Sequence, residues 1–198
     1  MIKDLKEDLP LQDRVVLVDR SDRSVGSMEK LEAHQQGLLH RAFSVFIFRE
    51  GRNGPELLLQ QRYPHKYHSS GLWSNSCCSH PMPGEDPVQA GERRLMEEMG
   101  IRVALSSVGY FIYEAPFENG LTEHELDHVL IGWYEGENIS PHPEEVSNWR
   151  WADIPRIQAD IKARSDQFTV WFPHAFELAV GQLKKSPRGI LITKRLPF

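Results

Sequence analysis

Residues 86–101 read Asp86-Pro87-Val88-Gln89-Ala90-Gly91-Glu92-Arg93-Arg94-Leu95-Met96-Glu97-Glu98-Met99-Gly100-Ile101, and this stretch decides the fold. Asp86 is a good N-cap, Pro87 brings a φ already set for the first helical position, and Gly100 stops the run. The punctuation predicts a helix over Pro87–Met99. Val88, Leu95 and Met99 fall at helical spacing and form its buried stripe. Gly91, Arg94 and Glu98 share another face, where Gly91 leaves room for a close approach.

On either side of this helix the chain reads as strands. Upstream, 14–18 is a short strand, 19–26 a polar turn region, and 40–48 a strand rich in aromatic and β-branched residues. A turn at 51–55 joins it to a second strand at 56–61, and a long loop covers 62–76. Downstream, 105–113, 123–134 and 148–151 read as strands, followed by helices at 152–164 and 171–185. Strands around one central helix, with helices at the end, predict an α+β sandwich.

Composition narrows the class. The chain has 198 residues, enough for one well-buried domain. Its hydrophobic content of 40% and charged content of 26% are ordinary for a soluble globular protein. A formal net charge of -5 argues against nucleic acid as a partner, since phosphate binding needs a basic face. No apolar run approaches the ~20 residues that cross a bilayer. The opening residues lack the apolar core of a signal peptide, so a cytoplasmic location is expected, without membrane association.

Both cysteines lie in Ser74-Asn75-Ser76-Cys77-Cys78-Ser79-His80-Pro81. Adjacent cysteines cannot close an ordinary disulfide without strain, so the pair is expected to be reduced. If the segment is extended, a period of two puts Cys78 and His80 on the same face. Taken alone, a free cysteine is more often a small buried hydrophobe than a catalyst.

Glu123, Glu125 and Asp127 share one face of a predicted strand, with His124 and His128 on the other. Alternating charge is usually a solvated face, yet Val129-Leu130-Ile131-Gly132-Trp133 is apolar on both faces and points to burial. Carboxylates leading into a buried strand need a cation or a metal. His34, His40 and His80 with two spaced carboxylates make a nitrogen and oxygen set suited to Mg2+, Mn2+ or Zn2+. His65, His68, His142 and His174 lack such context and are expected at the surface. Lys30, Arg62 and Lys66 add positive charge near the same features.

The run from Arg93 to Ile101 resembles the end of a Nudix box, Arg-Glu-hydrophobic-x-Glu-Glu-x-Gly-hydrophobic. Glu85 matches the box's early glutamate, and Ser79 stands where its first glycine belongs. Arg94 departs from the box, replacing a metal-binding glutamate with a bidentate phosphate donor. Such a site would hold a diphosphate but be poorly equipped to hydrolyse it.

Together these residues resemble the type 1 isopentenyl-diphosphate Δ-isomerases, metal-dependent and Nudix-like. The resemblance runs over roughly 15–183, through Lys30–His34, Leu39–Phe46, Leu59–Arg62, Trp73–Pro81, Glu123–His128 and Trp171-Phe172. It implies a Nudix-like α/β/α sandwich with a mixed sheet, in one domain over 13–185; the charged residues 1–12 read as an arm and 186–198, basic and apolar by turns, as a tail. It also implies interconversion of isopentenyl and dimethylallyl diphosphate by a 1,3-proton shift through a carbocation. By position, the resemblance makes Cys78 and Glu125 catalytic, and His34, His40, His80, Glu123 and Glu125 ligands of a Mn2+, Zn2+ or Mg2+ ion. Glu98 matches the glutamate tied to a Mg2+ on the substrate diphosphate. Lys30, Arg62, Lys66 and Arg94 match diphosphate contacts, and Tyr113 and Trp171 match aromatic positions of the hydrocarbon pocket. A monomer or weak dimer with a small-molecule diphosphate as its partner is expected. Two rivals remain: a Nudix hydrolase of nucleoside diphosphate derivatives, and a metal-binding module without chemistry.

Overall fold

β3 (His40–Gly51) is apolar on both faces, which puts it inside the sheet. Phe46 and Phe48 point to one side, and Phe43, Val45 and Ile47 to the other. The same alternation divides Leu57 and Leu59 from Leu58 on β4 (Gly54–Arg62), and Val129 and Ile131 from Leu130 on β8 (Thr122–Trp133). One face is covered by α3 (Ile154–Ala163) and α4 (Phe172–Lys185), which bring Ile157, Phe172, Ala175, Phe176 and Ala179. The other is covered by α2 (Pro87–Met99), through Ala90, Leu95 and Met99. The result is an α/β/α sandwich. The computed structural model describes residues 10–66 and 68–185, so most of the expected arm and all of the tail at 186–198 lie outside the described residues.

The sheet is mixed. β3 runs parallel to β8 from His40↔Glu125 to Phe48↔Trp133, and β7 (Ser106–Pro116) pairs antiparallel with β8. β3 and β4 pair antiparallel only from Phe48↔Leu57 to Gly51↔Gly54 and then part. β4 continues against β9 (Val146–Asp153) on one side and β5 (Trp73–Ser74) on the other. β6 (Cys77–Ser79) takes the vacated edge of β3, with Ser44↔Cys78 in register. Between β5 and β6 the buried pair Asn75-Ser76 fills the split. The Ser76 hydroxyl donates to the Leu58 carbonyl at 2.7 Å and accepts from the Ile47 N–H at 2.8 Å. Every polar group buried in that wedge needs such a partner, because an unmade hydrogen bond there is costly.

Several boundaries differ from the sequence reading. The region 19–26 is not all turn: β2 (Ser24–Glu29) begins inside it and pairs with β1 (Arg14–Val18). β2 is half exposed along its length, so it carries no hydrophobic alternation to read. A short helix, α1 (Lys30–Gln36), follows, capped by the Glu29 carboxylate on the N–H groups of Leu31 and Glu32. The loop at 62–76 contains β5. β9 extends to Asp153, which caps α3, so that helix starts two residues later than predicted.

α2 matches its prediction end to end, with Asp86 as N-cap and Gly100 as a left-handed C-cap at φ 69°. A Cβ on Gly100 would meet the Ser140 carbonyl oxygen at 2.5 Å. Gly100→Ala is expected to cost more than the ~1–2 kcal/mol of the left-handed backbone alone, read as a lower urea midpoint at unchanged slope. On the core side, a Cβ on Gly91 would meet Leu130 Cδ1 at 2.6 Å, so that glycine sets how closely α2 lies on the sheet.

Candidate active site

The parallel pairing of β3 with β8 places His40 opposite Glu125 at the mouth of both strands. α1 ends beside them, stopped by Gly37 in the left-handed conformation, and presents His34 to the same point. His80 arrives from the end of β6, its Nε2 donating to Glu125 Oε1 at 2.9 Å. The ligand atoms of His34, His40, His80 and Glu125 all lie within 4.8 Å of one another. Glu123 joins through a second group of the same kind, with His34 and His68.

This donor set fits a divalent ion. His34 Nδ1 lies 2.6 Å from the Lys30 carbonyl, and His40 Nδ1 lies 2.8 Å from that of Leu38. A carbonyl only accepts, so each ring carries its proton on Nδ1 and turns the Nε2 lone pair inward. Among the described residues the buried His40 Nε2 has no hydrogen-bond partner, an arrangement that costs stability unless an ion takes the lone pair. Burial holds His80 down to about 3 and lowers His34, so those two imidazoles stay neutral, as ligands must. Burial raises Glu125, but the His80 hydrogen bond and the His40 ring 3.6 Å away outweigh it and hold the carboxyl well below its ordinary value. Glu123 goes the other way, raised by burial and by Glu125 beside it.

The two cysteines face different surroundings, and both are free thiols. Cys77 is wholly buried in the α2 side of the core. Cys78 faces a cavity of about 440 Å3 that Glu125, His80, Trp171 and Arg62 also line. Burial pushes the Cys78 thiol up to about 12, against the pull of Arg62, whose Nη1 donates to Sγ at 3.3 Å. Trp171 is held by Nε1 donating to Asn75 Oδ1 at 3.1 Å. Tyr113 sits behind the carboxylates: its hydroxyl lies 2.6 Å from Glu125 Oε2 and 2.9 Å from Glu123 Oε2.

Lys30, Lys66, Arg62 and Arg94 all line this cavity, as does Glu98. Arg94 is already engaged, donating to Glu97 at 2.6 Å, Glu98 at 2.7 Å and Glu145 at 3.2 Å. Glu145 also pairs with Lys66. Burial, then the neighbouring Lys66 and Arg94, lowers Lys30, which marks the concentration of positive charge there. Glu85, by contrast, serves the scaffold: Arg93 grips it through two hydrogen bonds of 2.8 Å. That grip, with the Met82 N–H, lowers Glu85 below its ordinary 4.5. A depressed carboxyl adds stability above its unfolded pKa and loses it as pH falls through the folded one. Glu85→Gln should therefore be less stable than wild type at pH 7, with the gap in urea midpoint closing below pH 4.5.

Three participants were not singled out in the sequence. His68, read as a surface residue, is buried against Glu123, with Nδ1 3.2 Å from Oε1. Its burial follows from how the 62–76 loop tucks under Trp171, which no local pattern announces. Glu145 lies alone in a connection, and only the fold brings it to Lys66 and Arg94. Asn75 could have been found, because a buried amide beside a reactive residue usually has a positioning task.

Residues 38–172 match the NUDIX domain family. An isopentenyl-diphosphate Delta-isomerase of Aliivibrio fischeri (strain MJ11) is 47% identical over 176 residues, 87% of this chain and 97% of that protein. One from Pectobacterium atrosepticum is 48% identical over 168 residues, 85% of this chain and 91% of that protein. Among solved structures, a Deinococcus radiodurans protein superposes with a TM-score of 0.61 at 20% identity, over 76% of this chain and 89% of that one. The MutT protein from Methanosarcina mazei gives 0.59 at 18%, over 75% and 96%. At those identities the structural likeness shows the fold alone.

Proposed function

The chain belongs to the isopentenyl-diphosphate Delta-isomerase family, built on a NUDIX domain, and from that premise we propose that Cys78 and Glu125 carry its proton transfers. The reaction moves a double bond from isopentenyl to dimethylallyl diphosphate. One proton adds to the terminal methylene, leaving a tertiary cation, and a different proton leaves the neighbouring carbon. The observation that carries the assignment is that a thiol and an ionised carboxylate line one cavity with Lys30, Lys66, Arg62 and Arg94. Each of the pair gives or takes one proton, and reversibility requires each to serve both ways.

The other residues supply what such a cation needs. Water would trap it, so the walls must keep the carbon chain dry, and Trp171 offers a π-face for the charge. Tyr113 holds Glu125 from behind and turns it towards the cavity. His34, His40, His80, Glu123 and Glu125 would hold the divalent ion, Mn2+, Zn2+ or Mg2+, with Glu98 left for a Mg2+ on the diphosphate. Bound there, the ion would fix Glu125 and adjust the acidity of its carboxyl. Lys30, Arg62, Lys66 and Arg94 would grip the diphosphate, whose binding energy positions a small, featureless alkene. Residues 13–185 form the catalytic unit in this reading, working as a monomer or weak dimer in the cytoplasm. Among the described residues no helix is long and apolar enough to cross a membrane.

The test is an NMR time course with isopentenyl diphosphate and Mg2+ in D2O. Dimethylallyl diphosphate carrying solvent deuterium is expected; released phosphate would mean a hydrolase, and unchanged substrate a binding module. Lys66→Gln is expected to raise KM for isopentenyl diphosphate about 10- to 100-fold, the value of one charged hydrogen bond, with a much smaller change in kcat. A change confined to kcat would remove Lys66 from the diphosphate site.

A further inference from the structure

Glu123 is almost wholly buried, and both its oxygens are occupied. Oε2 lies 2.9 Å from the Tyr113 hydroxyl, whose one proton it shares with Glu125 Oε2 at 2.6 Å, and Oε1 faces His68 Nδ1 at 3.2 Å. The His68 ring is held by three aromatic neighbours, and its Nδ1 also lies 3.4 Å from Ser69 Oγ. It stacks on Phe117 at 5.2 Å and 25°, lies parallel to His34 at 6.1 Å and 27°, and meets Trp171 edge-on at 6.1 Å. Its backbone carbonyl accepts from Arg62 Nη2 at 3.4 Å. His68 therefore touches the candidate metal centre and the cavity's aromatic wall at once. Neither the proton-transfer chemistry nor the diphosphate grip uses it.

We propose that His68 is a positioning residue of the metal centre, fixing Glu123 through an Nδ1–H···Oε1 hydrogen bond from a ring locked by Phe117. The physical reason lies in what a carboxylate ligand can do. Left alone, Glu123 can rotate about its last bond and change which lone pairs it offers. A ring donor on Oε1, beside the Tyr113 hydroxyl that Oε2 shares with Glu125, restricts that freedom, and the remaining lone pairs are presented in one direction. Outer hydrogen bonds of this kind typically change metal affinity 10- to 100-fold. The bond also compensates a carboxylate that burial would otherwise penalise. This inference rests on the metal reading given above.

The experiment is a Mn2+ titration of the metal-stripped full chain, followed by electron paramagnetic resonance of the free ion. Wild type, His68→Phe and His68→Asn are compared. Phenylalanine keeps the stack on Phe117 and deletes the donor, so its Kd should rise ~10- to 100-fold. Asparagine loses the stack but sets its amide N–H near the position of Nδ1, so its Kd should rise less than that of the phenylalanine variant. If the phenyl ring does not fit, seen as a collapsed melting curve of the metal-free protein, His68→Leu deletes the same donor in less volume. Equal affinities for wild type and the donor-deleted variant would overturn the proposal. So would an asparagine variant as weak as the phenylalanine one, the pattern for a ring that ligates the ion directly. A wild-type chain that binds no Mn2+ would overturn the metal centre itself, before any variant is measured.

Discussion

Cys78→Ala is expected to lower kcat by a factor of ~10²–10⁴, the usual range for removing a positioned acid or base. Cys77→Ala should leave turnover near wild type and cost about 0.5–1.5 kcal/mol of stability, as for a small buried group. The contrast follows from alternation along β6. Cys78 faces the cavity, whereas Cys77 packs with Val45, Leu58 and Leu95. Single-turnover rates and urea midpoints of the two variants check both halves. If the losses were exchanged, the strand would be in the wrong register; if neither slowed turnover, no thiol would take part.

Glu125→Gln should be at least as damaging, with a loss in kcat of ~10²–10⁴ from the missing acid or base alone. The carboxylate stands 2.9 Å from His80, 3.6 Å from His40 and 2.6 Å from the Tyr113 hydroxyl. An amide fills the same volume, so the fold should persist, but it removes the negative charge that the neutral imidazoles lack. Metal affinity should therefore fall together with turnover. Measuring kcat at saturating Mn2+, with bound metal counted, separates the two causes. A metal-loaded variant that remained inactive would place the proton transfer on Glu125. One that recovered wild-type turnover would reduce Glu125 to a ligand.

These expectations draw unequally on local and distant information. α2 was legible to its last residue because Asp86, Pro87 and Gly100 act on the backbone beside them. β3 and β8 were legible because a strand buried on both faces must be apolar on both. Cys78 and His80 were legible as a pair because a period of two is a property of any strand. α1 was missed, since seven residues capped by a glutamate carry little signal. His68 was placed on the surface because nothing in its neighbours encodes the fold of the 62–76 loop. Arg94 was read as a phosphate donor, and the structure adds that Glu97, Glu98 and Glu145 already surround it. A diphosphate must share or displace those partners.

The sequence by itself determined α2 and the buried strands β3 and β8 and offered the candidate residues, because caps, turns and alternation act within a few residues. Only the tertiary structure decided how they meet. The parallel register of β3 with β8 sets His40 against Glu125, and the splitting of β3 from β4 opens the edge that β6 takes with Cys78. It also turned His68 and Glu145 inward. Those outcomes depend on contacts between residues far apart in the chain, whose free energy appears only once the sheet and its two helical layers have closed around them.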